Sequence, residues 1–436
     1  MRVYDIAVVG AGPAGIMSCI RAAQFNRPEG SGLASHSQSQ KNVILLERNN
    51  CIGKKILLSG KGRCNITNIV ALDEFIAKFG RQGEFLRCAF SKFFNQDLID
   101  FFKAKGLQLK IERQGRVFPT TDRAASVIEV LNKYLLESRA GLLYNTRVTG
   151  IEREGGLFKL FSEDGRLLNT KQIILATGGR SFSFTGSAGD GFAIAGKLGH
   201  SIAPLMPGLV PLKTKETWVR ELKGLGLKNI RLTFKAKNKK IVSNVGELLF
   251  THFGVSGPLV LDLSSSVLHL LAPRGGLIEN KEVILEIDLK PGLGPKQLEE
   301  RLLREFGIAG KKSVKNVLKE LLPQKFAVVF VNLLGIDYNK RANQVTKEER
   351  RSLLNMLKSL RLHIIGSLPL EEAMVTCGGV STKEINPRTM ESKIVQGLYF
   401  AGEIIDGSAP SGGYNLQQAF STGYLAGEQA ARAKNA

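Results

Sequence analysis

What the 436-residue chain lacks narrows it first. Its five cysteines, Cys19, Cys51, Cys64, Cys88 and Cys377, are odd in number, widely spaced and form no C-x-x-C. Neither a disulfide framework nor a zinc site is indicated, a reducing compartment fits, and no metal is expected. No stretch approaches the ~18 apolar residues of a membrane span. The apolar start over 6–20 is broken by Gly10, Gly12, Pro13 and Gly15, unlike the core of a signal peptide. A cytoplasmic protein with no membrane partner is the expectation. Acids are scarce too: 39 Asp and Glu stand against 61 Lys and Arg, a net charge of +22 that points to an anionic partner.

The length suggests two to three domains at ~150 residues each. With 43% hydrophobic and 23% charged residues, neither a mainly disordered chain nor a coiled coil fits. The 47 glycines exceed the usual ~7% share, and loops that cradle a ligand are one cause. The surplus charge lies in the middle of the chain. Residues 213–240 hold ten Lys/Arg against two Glu, and 290–360 hold fifteen against seven acids.

The apolar run 4–9, the turn Gly10-Ala-Gly12-Pro13-Ala14-Gly15, a helix over 16–25 and the apolar run 43–46 ending in Glu47 predict strand, turn, helix and strand. A Gly/Ser/Gln-rich stretch, 27–40, reads as a loop insertion. Helices with a phenylalanine-rich core face (Phe90, Phe93, Phe94, Phe101, Phe102) are expected over 73–105. Strands are expected over 143–151, 157–161 and 172–176, the last running into Thr177-Gly178-Gly179. From 205 to 289 short runs such as 248–251, 259–263 and 283–289 suggest β structure. From 295 to 360 the period turns helical, over 297–306, 314–321 and 347–360. A last strand at 397–402 and a helix over 417–432 close the chain. The expected fold is α/β: a two-part Rossmann-like dinucleotide domain with an inserted β-barrel-like plus helical domain. Its boundaries are 1–200 and 376–436 for the dinucleotide domain, and 201–290, 291–360 and a return strand in 361–375 for the insert.

Within that frame Gly10 makes a tight turn, Gly12 lets backbone approach a pyrophosphate, Gly15 allows close helix–strand contact, and Glu47 can accept from a ribose diol. The return segment, Gly402-Glu403-Ile-Ile-Asp406 and then Gly412-Gly413-Tyr414-Asn415-Leu416-Gln417, supplies acids and a helix N-terminus of the kind a prosthetic flavin needs. One complete G-x-G-x-x-G is present, so no second domain for NAD(P)H is visible.

Four strings carry a resemblance: Lys54-Lys55-x-x-x-Ser59-Gly60-Lys61-Gly62-Arg63-Cys64-Asn65-Ile66-Thr67-Asn68, Gly115-Arg-Val-Phe-Pro119, Phe250-Thr-His252-x-Gly254-x-Ser256-Gly257-Pro258 and Gly378-Gly379-Val380. Together they resemble the BaiN/YhiN-like flavoprotein family over essentially the whole chain outside 27–40. The resemblance implies FAD, lined by Gly12, Glu47, Lys55, Gly62, Asn65, Thr177, Gly402, Asp406 and 415–417. Pro13, Ala14, Arg48, Lys54, Ser59, Gly60, Arg63, Thr67, Val148, Gly178, Glu403, Gly413 and Tyr414 complete the expected surroundings. The loop Asp406-Gly407-Ser408-Ala409 departs from the family's acidic pattern, so only Asp406 is carried over there.

The resemblance leaves three activities open: oxidation of small amines, reduction of steroid-like substrates, and dihydrouridine formation in large-subunit ribosomal RNA. The charge favours RNA, since each neutralised phosphate adds affinity through counterion release. Lys235, Lys237, Lys239, Lys240, Lys311, Lys312, Lys315 and Lys319 are the expected RNA-binding residues, and NAD(P)H is the expected transient reductant. A non-catalytic flavin-containing RNA-binding protein is a further alternative. Reducing a uracil needs hydride at C6 and a proton at C5 of a base lifted from its stack. Cys64, near the expected flavin, and His252, in the insert, are the candidate proton donors, with Cys377 a third position beside Gly378. Oligomeric state is not readable.

Overall fold

The computed structural model describes residues 2–25, 41–237, 239–271 and 283–433, so the expected loop at 27–40 lies outside the described residues. The chain forms two compact units. One comprises the residues up to Pro207 and those from Leu370 onward; the other is Gly208–Pro369.

The first unit is built on a seven-stranded sheet. The opening strand, Val3–Val9, is central, pairing in parallel with Val43–Leu46 on one side and with Leu167–Leu175 on the other. Val43–Leu46 is buried on both faces, as a strand inside a parallel sheet must be. Gly141–Leu143 extends one edge in parallel. The meander Val148–Glu154, Leu157–Ser162, Leu167–Leu175 extends the other, where Leu398–Phe400 also returns in parallel against the end of Leu167–Leu175. The segment 143–151, expected as one strand, instead spans the end of Gly141–Leu143, a turn and the start of Val148–Glu154. The left-handed Asn145 breaks it.

The first helix, Pro13–Gln24, and the last, Tyr414–Arg432, pack on each other at backbone distance. A Cβ at Gly423 would stand 2.3 Å from the Ala14 carbonyl oxygen, and one at Gly427 2.3 Å from that of Ser18. This Gly-x-x-x-Gly spacing, one helical turn apart, is what lets the two ends of the chain share one core. Phe93 and Phe102 are buried there, and Phe90 in a second cluster with Phe75 and Phe79, as the aromatic face predicts.

The second unit is a closed six-stranded barrel, in the order Leu212–Thr214, Gly254–Ser256, Lys239–Phe250, Gly226–Ala236, Val283–Asp288, Leu360–Ser367. Its helices include Pro295–Ile308, Val314–Leu318, Gln324–Leu333 and Lys347–Lys358. The apolar run at 259–263, expected as a strand, lies inside the helix Pro258–Leu271. Pro258 at the first position, where its missing N–H costs nothing, opens the helix, and a short apolar run carries no period to tell strand from buried helix.

Candidate cofactor site

The site is assembled in the first unit from the ends of parallel strands. Gly10 has φ +100°, and a Cβ there would stand 2.6 Å from the Ala176 carbonyl oxygen; at Gly15 it would stand 1.8 Å from the Gly10 oxygen. Both positions therefore exclude any side chain. Gly12 is different: a Cβ there would meet nothing within 4 Å, so its backbone faces open space at the start of the first helix. That helix begins at Pro13 and Ala14 with no side-chain cap, leaving N–H groups and the positive end of the helix dipole free. Glu47, 7% exposed, sits at the end of the next strand. Its carboxylate accepts from Ala11 N–H (2.7 Å), Asn49 N–H (2.8 Å) and the Asn49 amide (2.7 Å), which fixes it against the turn. Arg48 reaches Asp190 at 3.2 Å.

The segment 54–68 forms a second wall. Exposed Lys54 and half-buried Lys55 precede the short helical turn Ile56–Gly62, in which Gly60, Lys61 and Gly62 are all left-handed, at φ 57°, 59° and 83°. Ser59 donates to Ile56 O (2.7 Å). Arg63 is engaged elsewhere, in a bidentate pair with Glu112 (3.0 and 2.8 Å), on Asp122 (3.1 Å) and over the Phe118 ring (4.0 Å). Cys64 is 0% exposed, and burial pushes its thiol up to about 12, with the Ser59 hydrogen bond acting the other way. Thr67 is buried against Gly413, where a Cβ would fall 2.5 Å from the Thr67 backbone.

The third wall comes from the return of the chain. Gly402 (φ +80°) would bring a Cβ within 2.7 Å of Ala14 Cβ. Glu403 follows it and gathers a network that sequence reasoning missed. It accepts from Lys55 Nζ (2.8 Å), Ser181 Oγ (2.9 Å) and Thr376 N–H (2.7 Å), while Lys55 also donates to Ser181 Oγ (2.6 Å). Burial pushes the Glu403 carboxyl up, but Lys55 beside it and these donors hold it on balance below its ordinary value. Ser181 follows Thr177-Gly178-Gly179, and Thr376 precedes Cys377-Gly378-Gly379; only that adjacency to glycine pairs could have flagged them. Asp406 takes a hydrogen bond from Gln82 (3.0 Å), against which burial raises its carboxyl. The last helix starts at Tyr414 after left-handed Gly413, with no side-chain cap. Asn415 braces the preceding loop through Ala409 N–H (2.9 Å) and its carbonyl (2.8 Å), and Leu416 packs against the core. Val148 is buried at the start of its strand, and Gly178 is left-handed at φ 73°.

Among the described residues, Asn65 Oδ1, Thr177 Oγ1 and Gln417 Oε1 are buried without a hydrogen-bond partner. A buried oxygen left unpaired costs about 1–3 kcal/mol. These three come from the three segments that the sequence assigns to FAD, and with the open backbone at Gly12 they fit a polar dinucleotide. The remaining sequence candidates lie in the second unit, Cys377 apart. His252 is exposed, its ring edge-on to Phe253 at 4.8 Å. Lys237, Lys239, Lys240, Lys311, Lys312 and Lys319 are exposed, whereas Lys235 is paired with Glu286 at 2.6 Å. Lys315 is half-buried, bonded to Asn339 (3.0 Å) and over the Tyr338 ring. Cys377 is buried with its sulfur 3.0 Å from Ser408 Oγ. No group of His, Cys, Asp and Glu able to hold a metal occurs among the described residues, and no helix there is long and apolar enough to cross a membrane.

The model of the HI0933-like protein Rossmann domain matches residues 4–429. The chain is 31% identical to a 3-dehydro-bile acid delta(4,6)-reductase of Clostridium scindens, over 98% of each chain. It is 28% identical to a ribosomal RNA dihydrouridine synthase of Escherichia coli, over 100% of each. Among solved structures, the 3-ketosteroid delta1-dehydrogenase of Sterolibacterium denitrificans shares the fold (TM-score 0.52, 13% identity, 100% of each chain covered).

Proposed function

The chain belongs to the HI0933-like family, the BaiN/YhiN-like flavoproteins its motifs resemble, and from that membership we propose that it is an FAD-dependent reductase of a uridine in large-subunit ribosomal RNA, drawing electrons from NAD(P)H. The observation that carries the RNA substrate is charge without counter-charge. Lys237, Lys239, Lys240, Lys311 and Lys312 are exposed, and none forms an ion pair among the described residues. A small neutral substrate gives no reason for such a surface; a polyphosphate does. One relative is named for this reaction.

Gly12 and the uncapped first helix would hold the pyrophosphate of FAD, Glu47 the adenosine ribose, and Asn65, Thr177 and Gln417 the polar groups that satisfy their buried oxygens. When bound, FAD in its reduced form supplies hydride. The chain's own part is to orient the acceptor and deliver a proton to C5 of the uracil. Of the two candidate donors, His252 is exposed and can exchange with solvent and meet a substrate. Cys64 has no surface and a thiol raised to about 12, so its place is in the core beside the cofactor loop. Lys55, Ser181 and Thr376 hold the Glu403 carboxyl below its ordinary value, so Glu403 stays ionised at neutral pH and is no proton donor.

A second reading rests on the bile-acid relative: reduction of a conjugated C=C bond in a steroid-like molecule. Both readings are hydride addition to an alkene conjugated with a carbonyl. Mass spectrometry of ribosomal RNA from a deletion strain separates them. Loss of one dihydrouridine supports the RNA reading, and unchanged RNA overturns it.

A further inference from the structure

The second unit carries a cavity of about 690 Å³ whose wall includes the chain's single tryptophan, Trp218. That volume suits a drug-sized or nucleotide-sized ligand. Trp218 is half-buried, with its ring packed at 6.0 Å and 56° on the fully buried Phe250, so the indole is braced from one side. Leu333, Met356 and Leu360 give the wall further apolar surface, and polar groups stand among them. Ser359 has a buried hydroxyl with no partner among the described residues, and Asn355 and Ser352 are exposed on the helix beside it. Arg361 is 64% exposed at its side chain and holds Glu286 through one nitrogen at 3.3 Å, which leaves further donors free. Lys358 contributes its stem, since its ammonium is held by Asp288 (2.8 Å) and the Leu293 carbonyl (2.8 Å).

A braced indole, an amide, two hydroxyls and a guanidinium suit a flat ring edged with donors and acceptors and joined to an anion. A bile acid could bring a hydroxyl to Ser359 and a carboxylate to Arg361, but its aliphatic, puckered rings do not stack on an indole as a planar base does. An unpaired nucleotide suits the indole and the polar groups together, because bases stack on aromatic rings at about 1–3 kcal/mol each and their edges hydrogen-bond to amides and hydroxyls. Resting on the RNA reading above, we propose that this cavity holds an unpaired nucleobase of the RNA, stacked on Trp218, with its edge at Asn355 and Ser359 and its phosphate on Arg361. It is a binding site that anchors the strand and takes no part in hydride transfer.

With one tryptophan in the chain, emission excited selectively at the indole reports on Trp218 alone. The flavin-loaded full-length protein is titrated with a single-stranded oligouridylate of about ten nucleotides, and affinity is measured in parallel by anisotropy of the labelled strand. Saturable quenching at the concentration where anisotropy changes is expected. Trp218→Leu should weaken binding about tenfold and Trp218→Phe much less, since both aromatic rings stack. Arg361→Gln should lower the salt slope by about 0.7, one phosphate of a single strand. Because Trp218 also packs on Phe250, the exposed Asn355→Ala serves as a variant that leaves folding intact, and it too should weaken binding. RNA affinity that is intact in all four variants, with Trp218 emission unmoved, overturns the site while leaving the RNA reading standing. No RNA affinity at any salt overturns both. Quenching by a bile acid but not by RNA shows the occupant to be a steroid and overturns the nucleobase site.

Discussion

The two units use their residues in opposite ways. In the first, polar groups are turned inward and paired: Glu47 on the turn, Glu403 on Lys55, Ser181 and Thr376, and Glu428 buried beneath Arg21. In the second, Lys237, Lys239, Lys240, Lys311 and Lys312 face outward, and none forms an ion pair among the described residues. A bound prosthetic group needs a rigid, pre-formed cradle, so its cost falls on backbone geometry and packing. A large anionic substrate needs a field and a few anchoring groups, which exposed side chains supply. The contrast teaches where each kind of function leaves its trace: one in spacing, the other in charge.

The comparison breaks most severely at the glycines of the turn. Gly15→Ala forces a Cβ to within 1.8 Å of the Gly10 carbonyl oxygen, so backbone must move. Loss of soluble folded protein, or destabilisation of about 3 kcal/mol or more by thermal melting, is expected. Gly12→Ala meets nothing and should fold, with a melting temperature near wild type in the absence of flavin. It should nonetheless bind FAD weakly, as read by flavin released on denaturation. If the two variants behave alike, the division between a packing glycine and a ligand-approach glycine is wrong.

Next in size is the proton donor. His252→Ala should slow reoxidation of the reduced enzyme by RNA by about 10²–10⁴, with flavin reduction by NAD(P)H near normal. Cys64→Ala should leave both half-reactions within a few-fold and cost stability instead, about 1 kcal/mol for a small buried side chain. Rapid-mixing absorbance of the flavin separates the two, and the reverse pattern would return Cys64 to catalysis.

The smaller, graded effect is electrostatic. Replacing Lys237, Lys239 and Lys240 with Gln should reduce the slope of log affinity against log salt by about 0.7–0.9 for each phosphate that is no longer neutralised. Lys235→Gln should change the slope less, because Lys235 already answers Glu286. Flavin content should not move in either variant. An unchanged slope in the triple variant would mean that those lysines are a solvated face only.

Much of the first unit is legible in the sequence because its constraints are local. Gly10, Gly12 and Gly15 lie within six residues, and the strand before them and Glu47 after them follow from apolar runs with clear ends. The Ser181–Thr376–Glu403–Lys55 network is not legible. Its members are separated by up to 348 positions and meet only when the last strand returns to the sheet. The helix Pro258–Leu271 reads as a strand because a run of five residues, four of them apolar, has no period, whereas the helices at Pro295–Ile308 and Lys347–Lys358, amphipathic over three turns or more, declare themselves. For the substrate, the sequence offers the sign and place of charge, and only the fold shows which lysines are already paired.

The finest test of the contrast lies in acid. Glu403 has a folded-state pKa below its unfolded value, since Lys55, Ser181 and Thr376 outweigh the cost of burial. A group of that kind contributes stability at pH values above its unfolded pKa of about 4.3, and loses that contribution as pH falls through the folded value. The flavin unit should therefore lose stability below about pH 5 more steeply than it does between pH 6 and 7. Glu403→Gln removes this titration and also leaves Lys55 without its counter-charge, so the variant should be less stable than wild type at pH 7, by about 1–3 kcal/mol. Its stability should then vary less below about pH 5, and the two curves should converge as the wild-type carboxylate takes up its proton. Urea unfolding from about pH 7 to about pH 3, followed by flavin fluorescence, gives both curves. Parallel curves would mean that Glu403 titrates alike in the folded and unfolded chains, and that the inward-turned network is no more than a surface pair. Lys239→Gln, on the outward-facing side, provides the reference: with no carboxylate partner to lose, its stability curve should follow wild type across the whole range.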